Sequence, residues 1–236
     1  MTETVDIDAH LARFEDVISV TFTEKKHLLV ALTHRSYLNE HREATQDHNE
    51  RYEFLGDAVL ELVVTDFLFE KYADKPEGEL TAIRAALVNT VSLAEASGKM
   101  GVNEYLLLSK GEAKDTGRAR QYILANAFEA LVGALYLDQG YAAAKAFIAE
   151  YLFAQTENIV EKRLWQDAKS RFQEVAQEHV NITPSYAVLN QEGPDHDRVF
   201  TVGVFLGEEQ IAEGQGRAKQ EAEQNAAAAA IEKKGW

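Results

Sequence analysis

The 236-residue sequence contains no cysteine. This absence excludes disulfide scaffolds, zinc sites built on thiolates and cysteine nucleophiles. No apolar run approaches the roughly 18–20 residues that cross a bilayer, and the polar, acidic opening MTETVDIDAH differs from a secretory or transit peptide. We therefore expect a cytoplasmic protein that is not bound to a membrane.

Positive charge is also scarce, since 24 Lys and Arg stand against 39 Asp and Glu, for a net charge of −15. Such a chain repels nucleic acids and anionic membranes unless its basic residues are concentrated locally. The charge balance therefore argues mildly against a nucleic-acid partner, which has to be inferred from a particular site instead. Hydrophobic residues make up 46% of the sequence, enough to bury one large core or two smaller ones.

Helical periodicity dominates the first two thirds of the chain. Apolar residues recur at intervals of three and four in five segments: 27–38, 49–72, 79–101, 121–141 and 142–160. Several of these segments are separated by turns that contain glycine or proline, which fits helix ends. Nothing before residue 160 alternates as a strand does, so the sequence predicts an all-helical domain over residues 1–160.

The pattern changes after a short charged stretch at 161–167, which we interpret as a linker. Residues 168–236 begin with an amphipathic helix, and two alternating segments with β-branched and aromatic residues, at 185–192 and 198–207, predict strands. A third strand precedes a closing helix of mostly alanine, glutamate and glutamine at 219–234. The order α-β-β-β-α predicts a small α+β domain after the all-α one.

One face of the predicted helix 49–72 carries four carboxylates, spaced three, four and four residues apart: Glu50, Glu53, Asp57 and Glu61. Charged helix faces are usually only solvated. Two features favour a function here, because like charges at this spacing repel each other and a mid-helix glycine, Gly56, costs about 1 kcal/mol relative to alanine. The glycine is explained if another backbone or a ligand comes close to it.

A second polar pair, Asn126 and Glu129, lies one helical turn apart in a very apolar segment. A carboxylate in such surroundings needs a compensating charge or metal ion. Facing Glu53 and Asp57, the pair would complete an oxygen-only pocket, which suits a hard divalent cation, Mg²⁺ above all, and argues against zinc. Phosphodiester hydrolysis is the chemistry best suited to it, because a metal ion activates water and stabilises developing negative charge.

The segment HNERYEFLGDAVLEL at 48–62 resembles the signature of the ribonuclease III catalytic domain. The resemblance continues in the same order through LTHRSY, PEGELTAIRAALVNT and ILANAFEALVGALYLD, at 32–37, 76–90 and 123–138, and covers most of the first domain. It implies a homodimeric, all-helical endoribonuclease that uses Mg²⁺, with Mn²⁺ as a substitute. The implied reaction cuts double-stranded RNA, such as rRNA and mRNA precursors, and leaves 5′-phosphate and 3′-hydroxyl ends.

This resemblance implies four metal ligands: Glu53, Asp57, Asn126 and Glu129. Asp57 and Glu129 also match the catalytic positions. Asn126 departs from the family pattern, which usually has aspartate there. Its amide oxygen can still coordinate Mg²⁺, but the site loses one negative charge. We therefore expect weaker Mg²⁺ binding and a higher metal optimum, without a necessary loss of cleavage.

Three further residues match positions that the family uses around the site. Glu50 and Glu77 match supporting acidic residues near the catalytic valley. Phe54 matches the aromatic residue that family members insert into a pocket of the partner subunit, at the dimer interface. Tyr52 stands where leucine is usual, a change of shape more than of chemistry.

The pattern RFQEVAQ…PSY…GPDHDRVFTVGV…GQGRAKQEAEQNAA resembles a double-stranded RNA-binding domain over residues 168–236. Such domains contact two successive minor grooves and the phosphates between them, largely by shape. The candidate RNA-binding residues are Gln173, Gln177, His196, Arg217, Lys219 and Gln220. Arg217 and Lys219 lie at the start of the last helix, where backbone N–H groups favour a phosphate.

The charge of this second domain is unfavourable for RNA. It contains seven basic and eleven acidic residues, whereas a basic domain is the usual expectation for an RNA binder. Lys219 and Gln220 also stand where the family has a pair of phosphate-binding lysines, so one lysine is missing. We expect weak binding by the domain alone, compensated by the avidity of two copies in a dimer.

Two other functions stay open at this point. A protein that holds duplex RNA without cutting it, or cuts it weakly, fits the same motifs, and Asn126 is the residue that favours this alternative. A purely structural helical dimer would leave the RNA-binding pattern unexplained. Cleavage that requires both Mg²⁺ and Glu129 would select the nuclease, whereas binding of intact RNA would select the alternative.

Overall fold

The computed structural model describes residues 6–163, 165–194 and 198–236. Contacts divide the chain into two compact units, and the boundary in the sequence falls between Lys162 and Arg163. Within the described residues, the first unit is built from helices and the second from three strands and two helices. This architecture confirms the predicted fold class. None of the described helices is long and apolar enough to span a membrane.

The α-helices described in the first unit are α1 (Ile7–Ile18), α2 (Lys25–Leu32), α3 (Arg35–Glu40), α4 (Glu50–Lys71), α5 (Glu77–Leu87), α6 (Thr90–Lys99), α7 (Arg118–Gln139), α8 (Tyr141–Leu152) and α9 (Thr156–Glu161). Helix α1 lies outside the five segments that the periodicity predicts. It begins where the Asp6 carboxylate accepts a hydrogen bond from the Ala9 amide at 3.2 Å, and it buries Leu11, Phe14 and Ile18.

The periodic segment 27–38 forms parts of two helices, α2 and α3. The chain is extended at Thr33, which forms an isolated parallel bridge with Leu107. The Leu107 amide donates to the Leu32 carbonyl at 2.9 Å, and the His34 amide donates to the Leu107 carbonyl at 3.0 Å. This pairing with a distant segment replaces helical hydrogen bonds, so α2 and α3 form in place of a single helix.

Two more predicted helices are interrupted. The segment 79–101 divides at Asn89, whose side-chain oxygen accepts a hydrogen bond from the Ser92 amide at 2.9 Å and caps α6. The segment 142–160 divides at a short 3₁₀ turn that begins with Phe153, whose ring stacks on Phe67 of α4 at 3.7 Å. In both places a local cap or a distant contact overrides the apolar periodicity.

Helix α7 lies at the centre of the first unit and is buried on most sides, as predicted. Its buried residues run from Ile123 to Leu135, and most of them are alanine, leucine or glycine. Helices α2, α4, α6 and α8 pack around it, with α4 in the most extensive contact. Small side chains on α7 let the neighbouring backbones approach closely.

The second unit contains α10 (Ala168–Val180), β1 (Ser185–Glu192), β2 (Val199–Leu206), β3 (Glu209–Gly216) and α11 (Lys219–Lys234). The strands form an antiparallel sheet in the order β1-β2-β3. Both helices contribute to a core that includes Phe172, Val204, Ile211 and Ala227. This unit therefore has a hydrophobic core of its own, in the predicted α-β-β-β-α order.

The alanine-rich helix α11 packs very closely on the sheet. A Cβ atom at Gly214 of β3 would overlap the Ala226 amide nitrogen. Alanine on the helix and glycine on the strand remove the side chains that would otherwise hold the two backbones apart. This contact explains the alanine run of the sequence.

Candidate active site

Helices α4 and α7 cross with their backbones in direct contact. A Cβ atom at Gly56 would overlap the carbonyl oxygen of Glu129, and one at Gly133 would overlap the carbonyl oxygen of Tyr52. The cost of Gly56 in mid-helix is thus explained by the approach of another backbone, as predicted. Sequence reasoning missed Gly133, although it too is a glycine inside a long apolar helix.

This crossing brings four predicted site residues together: Glu53, Asp57, Asn126 and Glu129. The Asn126 side chain lowers the pKa of Glu53, and the charges of Asp57 and Glu53 act on Glu129. Asp57 is exposed, whereas the other three side chains are half-buried. These four side chains, called the pocket below, lie beside the α4–α7 contact, and Asp57 is exposed to solvent.

Two carboxylates of this pocket, Glu129 and Glu53, have raised pKa values. Burial, with the charges of Asp57 and Glu53, raises the pKa of Glu129 to about 7. Burial also raises the pKa of Glu53, as do Glu50 and Asp57, while the Asn126 side chain opposes the change. The charge of Asp57 therefore disfavours the ionised forms of both Glu53 and Glu129.

No cation in the described part of the chain forms an ion pair with Glu53, Asp57 or Glu129. Glu61, the fourth carboxylate of the predicted acidic face, differs because Arg84 Nε lies 2.8 Å from it. Among the described residues, the negative charge of the pocket is thus left without a counter-ion, while Glu61 belongs to an ion pair.

The donor chemistry of the pocket fits a hard divalent cation, since carboxylate and amide oxygens are the ligands that Mg²⁺ prefers. Burial and the negative charges of Asp57 and Glu53 raise the pKa of Glu129, and a bound cation would balance those charges. As they stand, no three Asp, Glu or His side chains among the described residues are close enough together to hold a metal ion. The carboxylates would have to turn toward the ion, on helices whose separation the glycines fix.

The supporting residues lie around this pocket at different distances. Glu50 begins α4, accepts a hydrogen bond from Arg35 at 3.3 Å, and raises the pKa of Glu53. Glu77 begins α5 and accepts a hydrogen bond from the Thr81 hydroxyl at 3.0 Å. No contact within the described ranges joins Glu77 to the pocket. Phe54 is 82% exposed, so its ring is available to a partner.

Two glutamines on α10 occupy the positions predicted to meet an RNA minor groove. Gln173 and Gln177 are both exposed and lie one turn apart on the same face of the helix. The Gln177 amide donates to the Asn181 side chain, just beyond the end of α10. His196, predicted to enter the next groove, lies outside the described residues.

The predicted phosphate site at the start of α11 already contains an acidic side chain. Arg217, Lys219 and Gln220 are exposed there. The backbone N–H of Arg217 donates to the Glu221 carboxylate at 2.8 Å. Lys219 Nζ lies 6.0 Å from the centre of the Phe200 ring. An RNA phosphate would therefore share this helix end with a carboxylate.

Several other basic residues of the second unit have partners within it. Lys169 and Lys234 pair with Glu223 and Glu209, at 2.5 and 3.6 Å. Lys233 donates to a backbone carbonyl of β3 at 2.7 Å. These contacts reduce the positive potential that the unit offers to RNA, in keeping with the weak binding expected of it alone.

Comparison with known proteins accounts for both units. Residues 24–156 match the family model described as ribonuclease-III-like, which covers more than half of the chain. The chain belongs to the ribonuclease III family. Residues 168–234 match the model of the double-stranded RNA binding motif. Family, fold class and enzyme type, an endoribonuclease of the ribonuclease III type, are thereby confirmed as predicted.

Individual members of the ribonuclease III family resemble the chain over most of its length. Ribonuclease 3 of Bacillus cereus (strain AH187) and that of Bacillus anthracis (strain A0248) are each 43% identical over 220 residues, which are 93% of this chain and 89% of the relative. A solved nuclease domain of ribonuclease III from Campylobacter jejuni is 38% identical, with a TM-score of 0.54. It covers 60% of this chain and 94% of its own, and is described as flexible in a region involved in dimer formation.

Proposed function

We propose that the protein is a homodimeric, Mg²⁺-dependent endonuclease that cuts double-stranded RNA and leaves 5′-phosphate and 3′-hydroxyl ends. Its proposed substrates are structured rRNA and mRNA precursors in the cytoplasm, and Mn²⁺ would substitute for Mg²⁺. The observation that carries the proposal is the group of carboxylates without a counter-ion at the α4–α7 crossing. It lies in a chain whose second unit matches the double-stranded RNA binding motif.

In this proposal Glu53, Asp57, Asn126 and Glu129 hold the metal ion, and Asp57 and Glu129 are the catalytic carboxylates. A bound Mg²⁺ supplies activated water and neutralises negative charge that develops on the phosphate. The glycine contact holds α4 and α7, the two helices that carry these donors, close together. Because the pKa of Glu129 is about 7, the free site would release protons when a cation binds near neutral pH.

The outer acidic residues have a supporting role in the proposal. Glu50 adds negative potential next to Glu53, since it raises the pKa of that residue. Glu77 is proposed to join the acidic valley once RNA and metal are bound. Repulsion between these carboxylates and RNA phosphates would then be offset by the divalent cation.

A homodimer is supported by the apolar side chains that α4 exposes. Phe54, Leu62 and Phe69 are all exposed, and their spacing places them on one side of the helix. Grouped apolar side chains on a surface mark an interface. The flexible region of the Campylobacter jejuni relative is also described as involved in dimer formation. Two subunits would place two sites across one duplex and cut both strands.

The second unit would hold the duplex while the first cuts it. We propose that the six candidate residues contact the minor grooves and phosphates: Gln173, Gln177, His196, Arg217, Lys219 and Gln220. Two copies on a dimer would compensate for the weak binding of one copy through avidity.

The decisive experiment is cleavage of long duplex RNA, with Mg²⁺ or with EDTA, by the natural protein and Glu129→Gln. We expect cleavage only when both Mg²⁺ and Glu129 are present. Glu61→Gln is the matched control, because it removes a carboxylate from the same helix that Arg84 already neutralises. Cleavage by Glu129→Gln at the natural rate would contradict the assignment. Binding of RNA that remains intact would support the alternative function, a double-stranded RNA-binding protein with weak or no cleavage.

Asn126→Asp tests the expected metal requirement. An added carboxylate should lower the Mg²⁺ concentration that gives half-maximal cleavage, because it restores one negative charge to the site. The two proteins are compared over a Mg²⁺ titration at constant ionic strength. Equal metal requirements would refute the expectation.

A further inference from the structure

A Schellman turn after α11 directs the chain back toward α10. Gly235 adopts the left-handed conformation, with φ at 69°, and the Trp236 amide donates to the Ile231 carbonyl at 3.2 Å. Glycine adopts this conformation without steric cost and therefore often follows a helix end. The turn brings the Trp236 indole against the hydrophobic core of the second unit, where it is partly buried.

Trp236 contacts α10 at residues two turns apart. Its ring stacks on that of His179, with centroids 5.0 Å apart and planes at 6°, and on that of Phe172, with centroids 5.8 Å apart. Arg171 Nη2 also donates to the main-chain oxygen of Trp236 at 3.4 Å. Ring pairs at such distances stabilise a structure beyond the apolar area that they bury. One residue after α11 therefore holds both halves of α10.

A second attachment joins the start of α10 to α11. The Lys169 amide donates to the side-chain oxygen of Gln224 at 3.2 Å, and Lys169 Nζ lies 2.5 Å from the Glu223 carboxylate. Helix α10 is thus fixed to α11 near both of its ends. Gln173 and Gln177 lie between these attachments in the sequence, and both are exposed.

We propose that Trp236 is a positioning residue of the RNA-binding surface, because it holds α10 in a fixed place against α11. The inference rests on the proposed function, since it concerns the RNA contacts of Gln173 and Gln177. Double-stranded RNA-binding domains recognise a duplex largely by its shape and contact grooves and phosphates together. The placement of α10 relative to the start of α11 therefore decides whether both kinds of contact form at once. Trp236 fixes that placement from the opposite end of α11 to Lys219, without contacting RNA itself.

Amide hydrogen exchange of the free, full-length protein tests the attachment in the absence of RNA. Trp236→Ala should speed exchange at residues 176–180 of α10 about fivefold relative to exchange in β2 and β3. Trp236→Phe keeps an aromatic ring in contact with His179 and should stay within about twofold of the natural protein. If Trp236→Ala speeds exchange equally in α10 and in the sheet, the inference is wrong.

Ile211→Val is the matched control for a general loss of stability. It removes one methyl group from the same hydrophobic core and leaves the ring contacts of Trp236 in place. Exchange should therefore change by the same factor in α10 and in the sheet. A change confined to residues 176–180 in this control as well would contradict a special role of Trp236.

Binding of duplex RNA by the full-length protein in EDTA tests the consequence for recognition. At a temperature where all variants are folded, Trp236→Ala should weaken binding about fivefold and Trp236→Phe by less than about twofold. When Gln173 and Gln177 are both replaced by alanine, the effect of Trp236→Ala should fall below about twofold, because the side chains that Trp236 positions are gone.

Additive effects of these substitutions on RNA binding would overturn the inference, since Trp236 would then act independently of the two glutamines. Unchanged affinity in Trp236→Ala would overturn it as well. If the natural protein bound no duplex RNA, the proposed function would fail instead, and the exchange data would still decide whether Trp236 holds α10.

Discussion

Helix α4 carries carboxylates in two different environments. Glu61 and Asp66 have cationic partners on neighbouring helices, with Arg84 Nε at 2.8 Å and Lys145 Nζ at 2.6 Å. Asp57 and Glu53, one and two turns before Glu61, lie near another carboxylate, Glu129 of α7. The same helix therefore holds Glu61 and Asp66 in ion pairs, whereas no cation among the described residues pairs with Glu53 or Asp57.

The difference indicates where the protein gives up stability for function. A paired surface carboxylate contributes about 0–1 kcal/mol, whereas like charges in a half-buried site cost free energy. Perturbed pKa values of this kind are concentrated at functional sites. The part of α4 that carries Glu53 and Asp57 is also the part whose backbone touches α7, through Gly56 and Gly133. Close helix contact and uncompensated charge thus coincide, which favours a site built for a cation.

The largest expected effect comes from separating the two helices. Gly56→Ala places a Cβ atom into the Glu129 carbonyl, so α4 and α7 have to move apart. We expect a loss of about 3 kcal/mol or more in the free energy of unfolding, together with loss of RNA cleavage. Thermal unfolding and a cleavage assay on long duplex RNA measure both.

Gly98→Ala is the matched control for the glycine contact. Gly98 also lies in a helix, α6, but an added Cβ atom would have no neighbour within 4 Å. Alanine there should stabilise the protein by about 0.5–1 kcal/mol, through its higher helix propensity. If both substitutions stabilise the protein, α4 and α7 do not make the close backbone contact described at Gly56.

Because Glu61 has a cationic partner and Glu129 has none among the described residues, neutralising each of them should change the free energy of unfolding in opposite directions. In EDTA at pH 8, Glu129→Gln should raise the free energy of unfolding by about 2 kcal/mol, because it relieves burial and repulsion of a charge. The figure allows for solvent screening of a half-buried group. Glu61→Gln should lower it by about 0.5 kcal/mol, since it removes the partner of Arg84. Urea unfolding measures the free-energy change of each variant. If both changes have the same sign, Glu129 and Glu61 do not differ in the way proposed.

The charge of Glu129 also predicts a pH dependence of stability. The pKa of Glu129 is about 7 in the folded protein and near 4.3 in an unfolded chain. The folded protein therefore binds more protons than the unfolded chain between these values, so stability falls as pH rises through that window.

The expected fall in EDTA is about 1 kcal/mol between pH 5.5 and pH 8, after allowance for screening of the half-buried group. Glu129→Gln should show a smaller fall. Unfolding measured at several pH values in EDTA checks this. The assignment to Glu129 would be contradicted if the stability of the natural protein rose between pH 5.5 and pH 8 and that of Glu129→Gln rose by the same amount.

Much of the fold could be predicted from apolar periodicity alone. The predicted strand 185–192 and helix 219–234 have the same limits as β1 and α11. Periodicity failed where chain-distant or local polar contacts intervene. Thr33 leaves the helix to pair with Leu107, and Asn89 caps a new helix inside an apolar run. The first break depends on a distant partner, and the second on a local hydrogen bond that apolar periodicity does not record.

The candidate site could be predicted in part. Spacing placed Glu53 and Asp57 on one helix face, and Gly56 indicated a close approach. Neither feature could show that the approaching backbone is that of Glu129 or that burial raises the pKa of Glu129. Both depend on how the two helices cross.

The smallest expected effect concerns the second unit, where basic residues are paired and the phosphate site shares its helix end with Glu221. Gln220→Lys adds one positive charge at the exposed start of α11. We expect RNA binding by residues 161–236 to strengthen no more than about fivefold, with a log–log salt slope steeper by about 0.9, as for one more phosphate contact. Filter binding with duplex RNA at several salt concentrations measures both quantities.

Gln210→Lys is the matched control, because it adds the same charge near the start of β3, at the opposite end of the strand from α11's first residues. It should leave affinity and slope nearly unchanged. Equal gains from both lysines would mean that the unit responds to net charge and has no phosphate site at the start of α11. Tight binding by unaltered residues 161–236 at physiological salt would contradict the expected weakness of the unit. A gain confined to Gln220→Lys would place the RNA phosphate beside Lys219 and explain why the unit needs a second copy to hold a duplex.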